Sequence, residues 1–389
     1  MFIKIIKIIY HTLKYLLFSL KGVIYTISFK RKKRDKLLNS PKSYIAIFTH
    51  NLGGGTEAFK KRYISEHKNV IQISNFSYAK KDFYYILQID YDKIYFKNVS
   101  DLFKLLNDLN LSKIIINSLV SYYSIEEFIS EVILLVSKKH IPVTYMTHDF
   151  HAVCPTINLV YDANYCHLRC IELICKIYLF NNFTNVSVEI WRSMWVKLFS
   201  IVNEIRVFSN SSRDIFIKAY PGVDSHKITV IPYDMSYFNY EEIDTTSFPF
   251  NIGIFGNCST IPKGKLVIND LIKYCKNKDV KIFLAGKYRL IDKIHQKNVI
   301  YLGHYNTSEM RDIIIKNKIR VILFPSICPE TFSYLVSELM LLNMPIVSFN
   351  FGAQDEKLSN YEKGLCLNEN NPKIIYETLL SIYDLNNQL

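Results

Sequence analysis

Residues 329–338 read PETFSYLVSE, and they follow the apolar, β-branched segment VILFP at residues 321–325. This order predicts a buried strand, a polar loop and a helix, with Glu330 at the mouth of the helix and Glu338 two turns inside it. At such a mouth, unpaired N–H groups and the helix dipole face outward together and favour an anion. A carboxylate there is well placed to accept hydrogen bonds from sugar hydroxyls beside a phosphate, and the second carboxylate can accept a pair from a ribose.

The two glutamates also have a purely structural explanation. A glutamate in the first turn of a helix stabilises the helix dipole by a few tenths of a kcal/mol up to about 1 kcal/mol. A glutamate two turns further on is usually solvated. Agreement with other candidate sites along the chain favours the functional interpretation.

The spacing Glu-x7-Glu in this setting resembles the donor-site motif of retaining GT-B glycosyltransferases, especially family 4. The resemblance covers about residues 43–385. It implies an α/β protein in which two Rossmann-like, doubly wound domains face each other across a cleft. A cysteine-containing stretch after His148-Asp149 is similar to a bacterial surface-polysaccharide branch of that family.

Composition and charge bound the class of protein. The 389 residues suffice for two domains, and the 49% hydrophobic residues can build sizeable cores. The net charge of +13 suggests nucleic acid, but the first 36 residues carry +9 of it, which leaves +4 for the rest. Because the charge is terminal and no basic–aromatic platform accompanies it, nucleic acid is not an expected partner.

Residues 1–42 are predicted to be an amphipathic and polybasic segment that associates with an anionic membrane surface. Lys7, Lys14 and Lys21 recur within apolar residues 5–29 and form one stripe on a helix. Such a helix lies in the interface, and the basic run that follows suits anionic headgroups. The alternatives are a spanning helix, whose apolar stretches fall short of the ~20 residues needed, a signal peptide without a small-residue cleavage site, and a helix packed on the body.

Alternating strand and helix signals predict two α/β domains, 43–245 and 246–389, and the resemblance makes the first the acceptor side and the second the nucleotide-sugar donor side. The polar stretch 244–249 separates them, and the resemblance implies a last helix that can cross back to the first domain. The predicted strands are 44–48, 70–73, 114–116, 143–145, 205–208, 229–231, 251–255, 281–284, 299–302, 320–324 and 346–349. The predicted helices are 56–67, 122–138, 264–276, 307–317 and 331–343.

Two candidate sites follow predicted strands of the first domain. Gly53, Gly54, Gly55 and Thr56 resemble the glycine loop of family 4, where missing side chains let the backbone approach the leaving diphosphate or the acceptor. The spacing is not that of a dinucleotide fingerprint, and a tight turn with Thr56 as helix cap is the alternative.

His148 and Asp149 follow the strand 143–145, and carboxyl ends of parallel strands face the cleft. The resemblance makes His148 a neutral imidazole that hydrogen-bonds the transferred sugar. Asp149 either polarises the acceptor or caps the next segment. The alternative for His148 is a satisfied structural histidine.

The donor side adds a basic residue to the glutamates. In the family, a basic residue followed by glycine contacts the diphosphate, which assigns that role to Lys263 and Gly264; a solvated loop lysine is the alternative. The helix mouth, Thr331, Phe332 and Ser333, is expected to hold the same diphosphate. Two departures weaken the pattern: Asn257 follows the strand where many relatives carry an arginine, and Ser333 stands where glycine is common.

The metal hypotheses are weaker. Cys154, Cys166, Cys170 and Cys175 could together bind structural zinc, but no C-x2-C knuckle is present, and buried thiols are the alternative. The run Asp90-Tyr91-Asp92 mimics a metal motif of the other glycosyltransferase fold and is interpreted as solvent-facing alternation.

The expected function is transfer of a sugar from a nucleotide donor to a lipid-linked glycan, with retention and with no cofactor or divalent metal, in cell-surface polysaccharide biosynthesis. The expected location is peripheral, on the cytoplasmic face of the cell membrane. The alternative is an inactive GT-B module that binds glycan or a membrane partner.

Overall fold

The computed structural model of the protein describes residues 30–78, 82–122, 124–169, 187–288 and 297–385. The strands are β1 Tyr44–Thr49, β2 Val70–Tyr78, β3 Asp82–Ile89, β4 Asp92–Phe96, β5 Leu111–Ile116, β6 Val143–Met146, β7 Val160–Tyr161, β8 Asn164–Tyr165, β9 Glu204–Val207, β10 Ile228–Val230, β11 Asn251–Cys258, β12 Lys281–Tyr288, β13 Val299–Gly303, β14 Val321–Leu323, β15 Ile346–Phe349 and β16 Gly364–Leu367. The α-helices are α1 Lys30–Leu38, α2 Gly55–Glu66, α3 Val99–Asp108, α4 Ile125–Lys139, α5 Val188–Ile201, α6 Asn210–Ala219, α7 Lys265–Tyr274, α8 Met310–Lys316, α9 Tyr334–Leu341, α10 Gly352–Leu358 and α11 Pro372–Leu385.

The described residues group into two compact units. Apart from the gaps given above, the first contains 30–155, 187–206 and 222–229, and the second contains 156–169, 207–221 and 230–385. The predicted boundary at residue 246 differs from this division. Segment 207–221 joins the second unit because α6 packs on α10, where the Glu356 carboxylate accepts hydrogen bonds from the backbone N–H groups of Asn210 (3.0 Å) and Ser211 (2.7 Å).

The first sheet has the strand order β10-β9-β6-β5-β1-β2-β3-β4. Its centre is parallel, since β1 pairs in parallel with β2 and β5, and β6 with β5 and β9. At one edge, β3 and β4 run antiparallel and form a hairpin. The carboxyl ends of β1, β5 and β6 therefore meet at one edge of this sheet.

The second sheet is parallel throughout, in the order β13-β12-β11-β14-β15-β16. One face is covered by α7 and α11, the other by α8 and α9. Both faces are therefore buried, and the strands read as continuous apolar runs. Helix α11 packs here through Ile375 and Leu379, whereas the resemblance implied a helix that can cross back to the first domain.

Helix α4 shows how local sequence sets an element. The Ser124 side chain accepts a hydrogen bond from the Glu127 N–H, and acidic residues occupy the first turn. Lys138 and Lys139 occupy the last turn, and His140 ends the helix in the left-handed conformation. The side chains buried on the sheet recur at helical spacing: Ile125, Phe128, Ile129, Val132 and Leu135.

Strands β11 and β12 place Gly256 beside Gly286 near their carboxyl ends. A Cβ atom added to Gly286 would lie 2.0 Å from the carbonyl oxygen of Gly256, and Gly286 has a φ of +128°. No side chain fits there without moving backbone atoms. Gly286 is therefore required by its contact with the Gly256 carbonyl, whereas a Cβ on Gly256, which has a φ of +100°, would meet only the Leu335 side chain, at 3.3 Å.

The predicted elements are found with shifted ends, and several others were missed. Helix 331–343 begins at Tyr334 instead, because Ser333 adopts the left-handed conformation with φ +61°. The missed elements are β3, β4, β7, β8, β16, α1, α3, α5, α6 and α10. Asp90 and Tyr91 form the β3–β4 turn rather than part of an alternating strand, and Tyr91 is fully exposed.

The membrane-associating segment is described only in part. The amphipathic helix predicted within residues 5–29 lies outside the described residues. Its basic continuation is α1, where Lys33 pairs with Asp92 of β4 (2.7 Å) while Leu37 is buried. No helix in the described part of the chain has the length and apolarity needed to cross a bilayer.

Candidate functional site

The loops at the carboxyl edge of the second sheet bring Lys263 and Glu330 together. The Lys263 Nζ lies 2.6 Å from Glu330 Oε1, and the Ser326 hydroxyl donates to the same oxygen at 3.0 Å. Partial burial lowers the pKa of the Lys263 ammonium, but the Glu330 carboxylate raises it more, so that the pKa lies above its ordinary value. The site therefore carries a protonated lysine whose positive charge is balanced by the Glu330 carboxylate.

The loop that carries Lys263 is locked onto the end of β14. A Cβ atom on Gly264 would lie 2.2 Å from the Pro325 carbonyl oxygen, and Gly264 has a φ of +86°. The Ile327 N–H donates to the Pro262 carbonyl at 3.0 Å. Glycine is needed here for contact between loops, which places Lys263 beside the Glu330 turn.

The mouth of α9 differs from the prediction. Because the helix begins at Tyr334, Glu330 lies three residues before the Ser333 cap, in the turn that leads to the helix. The Ser333 hydroxyl oxygen is buried and has no hydrogen-bond partner among the described residues. Phe332 is buried as well, so Thr331, Phe332 and Ser333 form a packed turn that ends at the first N–H groups of the helix.

Glu338 lies inside α9, only 6% exposed. Its Oε1 accepts a hydrogen bond of 2.8 Å from the hydroxyl group of Tyr237, a residue whose ring is 45% exposed. Sequence reasoning missed Tyr237, because it stands in an irregular segment far from Glu338 along the chain.

Asn257 gives no substitute for a charged clamp. Its side-chain oxygen accepts hydrogen bonds from the backbone N–H (3.4 Å) and the hydroxyl (2.7 Å) of Ser259. The side chain therefore closes its own turn, and among the residues named for the donor diphosphate Lys263 alone carries a positive charge.

At the carboxyl edge of the first sheet, Asn117 connects three loops. Its side-chain NH₂ donates to Thr49 Oγ1 (3.0 Å) after β1 and to the Thr56 carbonyl (3.4 Å) in the first turn of α2. Its side-chain oxygen lies 2.6 Å from His148 Nε2. Because the amide oxygen can only accept, His148 carries its proton on Nε2.

The imidazoles of this edge are neutral. Burial, and secondarily the neighbouring His50, lower the pKa of His148 to about 3. Burial also lowers the pKa of His50, against the opposing pull of the Asp149 and Glu57 carboxylates. The role of His148 toward a sugar stays a prediction.

Asp149 makes the contacts expected of a residue that caps the next segment. One of its oxygens accepts the His151 N–H (2.9 Å), and the other accepts the Ser118 hydroxyl (2.9 Å). It thus closes the turn after His148. Its role toward an acceptor stays a prediction.

The glycine loop is open around Gly53 and Gly54. Both have positive φ, of 86° and 78°, and a Cβ at either position would meet nothing within 4 Å. Conformation, not space, therefore calls for glycine at both positions. Helix α2 begins at Gly55, and Thr56 is buried in its first turn rather than capping the helix. Behind the loop, the nearly buried Lys60 ammonium pairs with Glu57 at 2.6 Å.

The cysteine hypothesis is only partly within the described residues. Cys154 is buried and Cys166 partly buried, while Cys170 and Cys175 lie outside the described residues. In the part of the chain that the structure covers, no three histidine, cysteine or acidic side chains come together to hold a metal ion.

The sequence analysis also missed other residues of the two candidate sites, although the sequence pattern could have indicated some of them. Asn117 comes directly after a predicted strand and His50 comes two residues after another, and the rule that strand ends face the site would have found both. Gln354, which contacts the Glu330 turn, gives no such signal, because α10 was not predicted.

Most of the second unit is similar in sequence to a known protein family. Residues 249–384 match the model of the family described as "Glycosyl transferases group 1". The match covers about a third of the chain and shows that this part is similar to domains of that family. Lys263, Glu330 and Glu338 all lie in it.

Solved structures match nearly the whole chain in fold. Alr3699/HepE from Anabaena, in complex with UDP and glucose, has a TM-score of 0.56 at 13% identity and covers 89% of this chain and 94% of its own. A glycosyltransferase from Rickettsia africae ESF-5 has a TM-score of 0.54 at 18% identity, with 90% and 91% covered. The fold with two Rossmann-like sheets is therefore that of GT-B glycosyltransferases. A search of curated proteins by sequence found no match.

Proposed function

We propose that the protein is a retaining glycosyltransferase that moves a sugar from a nucleoside-diphosphate donor to a glycan acceptor. The observation that carries the proposal is the Lys263–Glu330 pair (2.6 Å) in the turn before α9, with Glu338 inside that helix. A cation, a helix N-terminus and two carboxylates suit the diphosphate, sugar and ribose of one ligand. The Anabaena protein, which shares the fold, was solved with UDP and with glucose.

In the proposed mechanism, Lys263 and the N–H groups at the mouth of α9 bind the diphosphate. The bond between the anomeric carbon and the phosphate oxygen breaks, and the acceptor oxygen bonds to that carbon on the same face. The acceptor proton moves to a phosphate oxygen, so no strong protein base is required. The charge that develops on the leaving diphosphate is what the protein has to stabilise.

Lys263 has to serve two partners in this scheme. In the structure its ammonium is bound to Glu330, and three N–H donors allow it to bind a phosphate oxygen as well. Glu330 would then turn one carboxylate oxygen toward the hydroxyls of the donor sugar. Glu338 would bind the ribose, and His148, whose Nδ1 bears no proton, would accept a hydrogen bond from a hydroxyl of the transferred sugar.

The acceptor and location belong to the proposal as well. The basic helix α1 and the segment before it support attachment to an anionic membrane and hence a lipid-linked acceptor, as in cell-surface polysaccharide synthesis. No cofactor or divalent metal is assigned, since Lys263 and α9 supply the positive charge.

The test is calorimetric binding of UDP-, GDP-, ADP- and dTDP-sugars to the full chain, followed by nucleotide release and NMR of the product anomer. We expect one donor class to bind, to be turned over, and to give a product with the donor's anomeric configuration. Binding without turnover on lipid-linked acceptors would favour the inactive module, and inversion of configuration would contradict the retaining mechanism.

A further inference from the structure

Gln354, in α10, is a fully buried amide whose two polar atoms both contact the turn that presents Glu330. Its Oε1 accepts the backbone N–H of Glu330 at 2.9 Å, and its Nε2 donates to the carbonyl of Cys328 at 2.9 Å. The reversed amide would set donor against donor and acceptor against acceptor. Only one orientation of Gln354 therefore satisfies the turn.

The two residues before Gln354 hold the same turn. The Ala353 N–H donates to the Glu330 carbonyl at 2.9 Å. A Cβ on Gly352 would lie 2.6 Å from the Pro329 Cα and 2.7 Å from the Glu330 nitrogen. The start of α10 thus packs directly against the backbone of residues 329–330, with no side chain in between.

The turn needs such support. Pro329 has no N–H to donate, and the chain does not become helical until Tyr334. Both backbone groups of Glu330, its N–H and its carbonyl, are bound by α10 rather than by a regular ladder. The direction in which the Glu330 side chain leaves the turn therefore depends on α10.

We infer that Gln354 is the positioning residue for Glu330: it fixes the Cys328–Glu330 turn so that the Glu330 carboxylate lies between Lys263 and the donor sugar. The inference rests on the proposed function for its effect on catalysis. Its structural part, that Gln354 holds the Glu330 amide, is independent of any ligand.

Two variants and a matched control test it in the full chain. Gln354→Met keeps the length and removes both hydrogen bonds. Gln354→Glu keeps the acceptor for the Glu330 N–H but sets a carboxylate against the Cys328 carbonyl. The control is Asn251→Leu, because Asn251 is a buried amide at the amino end of β11 that likewise binds two loop carbonyls, those of Asn317 and Lys318 (3.1 Å each).

The first readout is hydrogen exchange of a peptide that spans residues 327–334. Exchange of this peptide is expected to speed up at least tenfold in Gln354→Met and to stay unchanged in Asn251→Leu. Unchanged exchange in Gln354→Met would overturn the inference, whatever the protein binds. This readout keeps the inference separate from the proposed function.

The second readout is nucleotide release from UDP-glucose, or from the panel donor that the wild-type protein turns over fastest. In Gln354→Met, kcat is expected to fall by about 10²-fold, because a displacement near 1 Å at a reacting group costs about that much, while the affinity for the free nucleoside diphosphate changes less than threefold. An equal loss of kcat in Asn251→Leu, or a normal kcat in Gln354→Met, would contradict the positioning role.

The pH profile of Gln354→Glu gives the sharpest outcome. A protonated carboxyl donates to the Cys328 carbonyl and accepts the Glu330 N–H, as the amide does, and burial favours that neutral form. The ratio of its kcat to that of wild type is expected to rise as pH falls from 8 to 5, about tenfold at least. A flat ratio would overturn the inference. Failure of wild type to turn over any donor would instead refute the proposed function.

Discussion

The carboxyl edges of the two sheets differ in the interactions that hold their loops together. At the first edge, the groups around Asn117 are neutral: its amide binds Thr49 and His148, whose pKa burial lowers to about 3, while the Lys60–Glu57 ion pair lies behind the glycine loop. At the second edge, an ammonium and a carboxylate hold one another, Lys263 and Glu330. Both edges follow parallel strands of the same kind, so the difference lies in the loops.

Under the proposed function, this difference would give the two edges different tasks in the group transfer. A ligand with a diphosphate brings two or more negative charges, and the second edge offers a lysine kept protonated by a partner that can share it. A sugar brings hydroxyl groups, and the first edge offers fixed neutral donors and acceptors. Four predictions test the contrast, from the largest expected effect to the smallest.

Neutralising the charged pair should produce the largest change. In Lys263→Met we expect turnover of the donor to fall by about 10²- to 10³-fold, because one preorganised group that stabilises the leaving charge is worth that much. Glu330→Gln should lower turnover comparably while affinity for the free nucleoside diphosphate is nearly kept. Steady-state kinetics and calorimetry measure the two quantities, and near-normal rates in both variants would refute the assignment.

The first unit should lose stability toward acid through His151. Burial lowers the pKa of this imidazole to about 4, against about 6.5 when unfolded. Between these values the unfolded state binds more protons, so stability falls as pH falls from about 6.5 to 4, by roughly 3 kcal/mol.

Tryptophan fluorescence measures this loss, because the chain has two tryptophans and both, Trp191 and Trp195, lie in the first unit. His151→Asn should reduce the pH dependence of the urea transition, and His148, whose pKa is also lowered by burial, should supply the remainder. Replacement of the exposed His226 by asparagine should leave it unchanged, and an equal flattening there would count against the mechanism.

The second unit should gain stability toward alkali through Lys357. Burial lowers the pKa of its ammonium to about 7, against the opposing pull of Glu356, while the group lies over the Phe332 ring and contacts the Ser337 hydroxyl. Since the unfolded lysine titrates near 10.4, the unfolded state binds more protons between about pH 7 and 10.4, and stability rises there, on the order of 2 kcal/mol.

Hydrogen exchange of α10 peptides at several pH values measures this gain. Lys357→Met should be as stable at pH 7 as at pH 9, whereas Lys316→Met, at an exposed position of α8, should keep the wild-type trend. A wild-type unit without any rise above pH 7 would show that Lys357 stays charged.

The smallest effect concerns the bond between Tyr237 and Glu338. Tyr237→Phe removes the 2.8 Å hydrogen bond that orients the carboxylate, and we expect donor affinity to weaken about fivefold, or ~1 kcal/mol. Glu338→Ala should weaken it more, since it removes the ribose acceptor itself. Calorimetry with the panel donor compares them, and a larger loss in Tyr237→Phe would show that tyrosine, not Glu338, is the main contact.

The sequence was sufficient for the central strands of both sheets and for the charged residues, but not for the turns or for elements such as β3, β4, α6 and α10. Apolar runs such as residues 346–349 predict buried strands because parallel sheets bury both faces, and β15 has those bounds. Lys263 and Glu330 were both named, and they are 67 positions apart, yet their pairing with each other was not foreseen. The pairing depends on the contact between Gly264 and the Pro325 backbone. The spacing of apolar residues along the sequence gives no information about such a contact.

The turn before α9 shows the same limit. Helical spacing continues through Thr331 and Phe332, so the pattern favours a helix from residue 331, whereas Ser333 takes a left-handed conformation that tertiary contacts impose. Gln354 stabilises this turn from α10, and its amide gave no local signal. Likewise, α6 joins the second unit because the Ser211 N–H donates to the Glu356 carboxylate. These residues are 145 positions apart in the chain, and composition cannot reveal such a contact.

The approach of Gly286 to Gly256 has a consequence for ancestry. With 2.0 Å between the carbonyl oxygen and any Cβ at position 286, drift at this position is blocked as firmly as at a residue that touches substrate, even if no ligand comes near it. Where relatives share as little as 13% of their residues, such a steric contact can outlast the chemical motifs. A side chain at position 286 would therefore force the two paired strands apart, so we expect glycine wherever this backbone arrangement is kept.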